Sequence, residues 1–227
     1  MCAQVRHATL TGSDLHEPKG VAGATTGYIA VADGGTISWT GDIAPDSVVL
    51  ADEVWEDLPV VINVQSGGGS NPPAFTKLLN DGISSTGIYC YHFEAAAEKE
   101  LFFYTHLPHS YKEGTDVKFH VHWAPTTTNT GNVVWGVEYS VANTNVALPN
   151  STLVTATVAA DGVAKAHQVD AVATITGTTL KVGTVIVGRF YRKAADAGDT
   201  FTGVAAALTI DLHYQKDKFG TSAEYPA

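Results

Sequence analysis

The sequence predicts an all-β protein, an antiparallel β-sandwich with an extended N-terminal arm. Three observations predict it. Eight runs between residues 88 and 216 are rich in Val, Ile, Thr, Tyr and Phe, the residues that suit a pleated, half-buried surface. Connections such as PTTTNTGN and AADAGDT place turn chemistry between them. Strands and helices do not alternate along the chain, which argues against a parallel α/β sheet. The jelly roll is the eight-stranded form of such a sandwich. A chain of 227 residues buries roughly 70% of its extended surface, so its core requires no disulfide or metal staple.

In chain order, residues 1–54 read as the arm. The stretch SDLHEPKGVAGATT (13–26) has one Pro, two Gly and only two bulky apolar side chains, Leu15 and Val21. It cannot bury itself. GYIAVADGG (27–35) and TISWTG (36–41) form a hairpin turning at Asp33-Gly34-Gly35. A lone hairpin is marginal in water and needs a surface to lie on. Residues 55–227 form the sandwich domain. LPVVINV (58–64) reads as a strand, QSGGGSNPPA as a flexible connector, and AFTKLLNDG (74–82) as a short helix ended by Gly82. The eight strands follow at 88–94, 100–107, 116–124, 132–143, 152–160, 167–176, 181–193 and 204–216. EAAAEKE (94–100) has helical propensity, but seven residues between two aromatic runs read as a hairpin connection.

Acidic residues outnumber basic ones by 23 to 13, giving a formal charge of −10. Duplex nucleic acid and anionic membranes both select for Lys and Arg, so neither is an expected partner. Cys2 and Cys90 are too few and too far apart for a disulfide framework. The N-terminal residues contain no apolar run that would read as a secretion signal, and no 18-residue apolar run occurs. Without a secretion signal, the sequon at Asn150 is not read as a glycosylation site.

The most chemical-looking stretch is FHVHW (119–123). Period-two geometry puts His120 and His122 on one face and Phe119, Val121 and Trp123 on the other. Two imidazoles on one face can begin a metal site, with His213 or Asp211 from another strand completing it. The competing reading is a sheet with two half-buried histidines, hydrogen-bonded across strands or packed at a subunit interface. On it His120, His122 and His213 are interface residues and no metal or other cofactor is assigned. His92, His106 and His109 add to the histidines of residues 92–122, and a neutral cluster at a symmetric interface would charge as pH falls toward about 6. Nucleophile motifs are missing: there is no G-x-S-x-G, and QSGGGS lacks the Gly-Lys-Ser/Thr of a phosphate loop. Asp196 and Asp199 in AADAGDT read as solvated turn residues rather than a Ca²⁺ loop. An enzyme is not expected. Trp123 and Trp135 read as core, while Trp39, in the arm, is either an anchor on a neighbouring protein or folds back on its own domain.

The strings LHEPKGV (15–21), YIAVADGG and ISWT resemble the N-terminal segment of virion proteins of tailed bacteriophages, of the head-fibre or capsid-decoration (cement) type. WEDL (55–58), LPHSYKEGTDVKFHVHW (107–123), TGNVVWGVEYS (130–140) and IDLHYQKDKFGTSAEY (210–225) resemble the same group, so the likeness spans most of the chain. The resemblance implies a structural protein of the virus particle, assembled in the host cytoplasm and placed on the outer capsid surface. Its partners would be the major capsid protein and neighbouring copies of itself, as a trimer or dimer. Leu15, His16, Glu17, Pro18, Lys19, Tyr28 and Trp39 would be the arm's contact residues. The resemblance carries no catalytic residue. The alternative is a short tail or head fibre, an adhesin whose sandwich binds a host-surface glycan.

Overall fold

The computed structural model describes residues 29–33, 36–40, 50, 54–63, 71–80 and 82–224. Leu15, His16, Glu17, Pro18, Lys19 and Tyr28 therefore lie outside the described residues. The predicted hairpin is present: β1 (Ile29–Asp33) pairs antiparallel with β2 (Thr36–Thr40), and Trp39 sits opposite Ala30.

The remaining strands form two sheets packed face to face. They are β3 (Val54–Pro59), β4 (Val61–Asn63), β5 (Ala74–Leu79), β6 (Ile88–Phe93), β7 (Lys99–His106), β8 (Val117–Pro125) and β9 (Thr130–Ala142). After them come β10 (Thr152–Asp161), β11 (Gln168–Ile175), β12 (Val185–Arg192) and β13 (Ala205–Lys216). One sheet runs β10-β9-β12-β7-β4 and the other β11-β8-β13-β6-β5, with β3 also on β13. The eight strands β6 to β13 give the orders β11-β8-β13-β6 and β10-β9-β12-β7. That is the winding of a jelly roll, in which every connection but β9 to β10 crosses between sheets.

Each of the eight predicted strands from β6 to β13 forms, within two residues at most ends. Residues 94–98 of EAAAEKE are a connection, as its context predicts, and Lys99 and Glu100 begin β7. Two expectations change. AFTKLLNDG is not a helix: residues 74–79 form β5 along the edge of β6, with a register shift between Lys77 and Leu79. Six residues form a marginal helix alone, whereas β6 offers a row of open backbone groups and two rings. Phe75 stacks on Tyr89 at 5.8 Å and tilts against Tyr91 at 5.1 Å. The run 58–64 is not a single strand either. It breaks at buried Val60, so that β3 joins one sheet and β4 the other.

The core lies between the sheets and is built on aromatic contacts. Trp135 stacks on Phe190 at 4.9 Å and meets Phe93 edge-on at 5.2 Å; Phe103 tilts against Phe119 at 5.2 Å. Trp123 and Trp135 are fully buried, as predicted, and Trp123 Nε1 donates to Asp170 Oδ2 at 2.7 Å. Burying each such ring contributes roughly 1.5–3 kcal/mol, plus a smaller gain for edge-on pairs.

At one end of the core lies a buried ion pair. Arg192 is fully buried; its Nη2 donates to Asp199 Oδ1 at 2.6 Å and its Nε to Oδ2 at 2.9 Å. Its remaining donors go to the carbonyls of Phe93, Gly203 and Phe201. Asp199 is thus not the solvated turn residue that AADAGDT suggests. Asp196 does stay at the surface, paired with Lys193 at 2.8 Å.

Candidate functional site

The outer face of the β11-β8-β13 sheet gathers the histidines. Along β8, Phe119, Val121 and Trp123 enter the core and Lys118, His120 and His122 face out, as period two requires. Across from them, β13 changes phase. Ala205 and Ala207 are core residues opposite Pro125 and Trp123, then the register shifts so that Leu208 has no opposite residue. Beyond this bulge Ile210 and Leu212 take the core positions, and Asp211 and His213 are turned to the outer face. A one-residue insertion flips every following side chain, and here it puts Asp211 directly opposite His120. β3, on the far side of β13, brings Asp57 opposite His213.

The resulting cluster is tight. His120, Asp211 and His213 each present a ligand-type atom, and those atoms lie within 4.8 Å of one another. The His120 and His213 rings are 3.9 Å apart between centroids. His122 Nε2 stands 3.2 Å from Asp211 Oδ2, and its Nδ1 is 2.9 Å from His167 Nε2. His213 Nε2 is 2.8 Å from Asp57 Oδ1 and 3.8 Å from Asp211 Oδ2. Yet four buried polar atoms here have no hydrogen bond of acceptable direction: His120 Nδ1, His122 Nε2, His213 Nε2 and Asp211 Oδ1. Asp211 is only 5% exposed. Burial, followed by the neighbouring His213, pushes the His120 pKa below the ordinary histidine value, favouring the neutral ring. Lys118, next along β8, lies over the Trp55 ring at 4.7 Å.

Period two puts His120 and His122 on one face with His213 or Asp211 as the expected completing residues, and the structure brings all four together. It does not gather His92, His106 and His109 with them. His92 is on β6, His106 ends β7 in the opposite sheet, and His109 bonds to Thr221 in a loop. Asp57 and His167 were not foreseen, because no sequence signal fixes which strands lie beside β13 and β8.

The outer face of the other sheet holds an open trough of about 420 Å³. Phe102 and Tyr104 from β7, Glu138 and Ser140 from β9, and Val187 and Arg189 from β12 line it. Arg189 is held by three carboxylates: Glu100 at 2.5 Å, Glu138 at 2.7 Å and Glu98 at 3.4 Å. Burial works against its charge, but the bonds to Glu100 and Glu138 outweigh it and raise the guanidinium pKa. Ser151 and then Arg189 hold the Glu138 carboxyl below the ordinary carboxylate range. The Arg189 guanidinium also lies 4.4 Å from the centre of the Tyr191 ring. That ring covers Gly136 so closely that a Cβ there would stand 2.2 Å from it. Neither the trough nor its arginine was foreseen from the sequence.

No protein-family model and no curated protein matches this chain.

Proposed function

We propose that this chain is a structural protein of a phage particle, a capsid decoration or cement protein that binds the outer surface of the head. The observation that carries the reading is apolar surface left in solvent by a sandwich whose own core is complete. On β5, β6 and their connection, Phe75 is 62% exposed, Ile88 61% and Ile83 wholly so, with Tyr89 beside them. Apolar side chains grouped on one hairpin suit a protein partner. The strings that resemble tailed-phage virion proteins point to the same class of partner, as does the acidic charge, which suits a shell exterior better than its DNA-facing side. On this reading the partners are the major capsid protein and further copies of this chain.

Capsids of the parent virus assembled without this protein provide the test. Purified chain added in excess should cosediment with them and saturate at hundreds of copies per particle, counted by quantitative mass spectrometry. Saturation at a handful of copies would assign it to a vertex or tail, and failure to cosediment would overturn the reading.

The trough supports a second reading, an adhesin for a host-surface glycan. Phe102 and Tyr104 offer ring faces beside the polar groups of Arg189, Glu138 and Ser151, a mixture suited to sugar rings and hydroxyls. Saccharide binding to the isolated chain that is lost in Tyr104→Ala would favour it over cement.

A further inference from the structure

We propose that His120, Asp211 and His213 form a binding site for a first-row divalent cation, with Zn²⁺ the best match, and that the ion ties β8 to β13. A buried polar group without a partner costs roughly 1–3 kcal/mol, and the described residues hold few of them. Four converge at this one place: His120 Nδ1, His122 Nε2, His213 Nε2 and Asp211 Oδ1. All four carry lone pairs in the appropriate protonation state. A divalent cation accepts several lone pairs at once, which neighbouring side chains cannot do for one another.

The donor set selects the ion. Two imidazoles and a carboxylate are borderline ligands that suit Zn²⁺ and its transition-metal neighbours, whereas Mg²⁺ and Ca²⁺ select all-oxygen shells. Bonds of about 2.1 Å in a tetrahedron set ligand atoms about 3.4 Å apart. The ligand atoms here lie within 4.8 Å of one another, so side-chain rotations of about 1 Å close the site without moving the strands. His120 and His213 come from adjacent strands, fixed by the register that sets His120 against Asp211. Asp57 Oδ1, 2.8 Å from His213 Nε2, and His122 Nε2, 3.2 Å from Asp211 Oδ2, stand at the rim of the site beside its ligands. Metal binding requires unprotonated imidazoles, and the two rings stand side by side, 3.9 Å apart between centroids. The inference does not depend on the capsid reading, and its test uses no capsid.

The full-length chain, stripped with EDTA and dialysed, is titrated with ZnCl₂ by calorimetry at pH 7.5 and melted with and without the ion. Expected are one Zn²⁺ per chain with a Kd of micromolar or tighter, and a higher Tm that equimolar Mg²⁺ does not produce. His120→Ala, Asp211→Asn and His213→Gln each weaken binding at least tenfold. His120 and His213 are only partly buried on the outer face, and Asn keeps the shape of the buried Asp211 side chain, so the metal-free melts should stay close to that of the unaltered chain. A His7→Ala/His16→Ala variant keeps full affinity, separating this site from N-terminal histidines. Co²⁺ added to the unaltered protein gives the intense visible absorption of a tetrahedral site, a readout that needs no variant. No binding at 100 μM Zn²⁺ would overturn the proposal, as would binding that survives in His120→Ala and Asp211→Asn alike.

Discussion

At the scale of single residues, Arg192 shows how a surface-like sequence can hide a core interaction. It stands in the run GRFYRK, and its partner Asp199 stands in AADAGDT, both polar enough to read as solvent-facing. The structure closes the chain between them so that guanidinium and carboxylate meet side-on with no solvent access. Asp199 Oδ2 also accepts from the Val134 amide at 3.0 Å, tying the turn to β9. Removing one member of such a pair strands the other charge, which costs about 3–5 kcal/mol. Arg192→Ala also abandons three carbonyls, those of Phe93, Phe201 and Gly203. It should therefore lower the urea-unfolding free energy by about that amount, and by more than Asp199→Asn, which keeps those carbonyl bonds. Equal, small effects from both would mean the end of the sandwich tolerates the loss. By contrast, Trp123, Trp135 and the alternation of FHVHW were readable from the sequence, because period two needs only local geometry.

Elements are where the sequence reading divides. The eight jelly-roll strands were legible because each carries its own alternation and its own turns. β5 was not, because its strand state comes from the open edge of β6 and from Phe75 packing on Tyr89, neither of which is local. The histidine site was half legible for the same reason. His120 and His122 follow from β8 alone, while the meeting with Asp211 and His213 depends on the bulge at Leu208. β3 offers a prediction at this scale. It is short and shares one side of β13 with β6, and Glu56 fastens it by bonds to Lys216 Nζ at 2.9 Å and from the Tyr214 hydroxyl at 2.8 Å. Lys216 first, then Tyr214, hold the Glu56 pKa below its ordinary value. A carboxyl lowered on folding stabilises fully above its unfolded pKa, and that contribution is lost as pH falls through the folded value. Glu56→Gln should thus lower Tm at pH 7, with the gap to the unaltered protein narrowing below about pH 4. A gap that is constant from pH 7 to pH 3 would assign the effect to packing instead.

For the whole molecule, the question is which parts of the chain the sandwich needs. The jelly roll is complete with β6 to β13, and β3, β4 and β5 extend its two sheets. β1 and β2 pair with each other in a separate two-stranded sheet, whereas the Leu50 amide already bonds to the Asp217 carbonyl at 2.8 Å, beside the end of β13. The division that matters for folding should therefore fall between Thr40 and Leu50, rather than at residue 54. Removing residues 1–41 takes away β1, β2 and the LHEPKGV string but leaves every strand of the two large sheets. The shortened chain should stay soluble, keep its far-UV spectrum per remaining residue, and unfold in one cooperative step. If the N-terminal segment is the docking element that the phage resemblance implies, cosedimentation with capsids should fall at least tenfold. Zn²⁺ affinity should be unchanged, since the ligands on β8 and β13 remain. Aggregation of the truncated chain would instead show that residues 1–41 cover part of the sandwich, with the exposed rings of Phe75 and Tyr89 the first surface to examine.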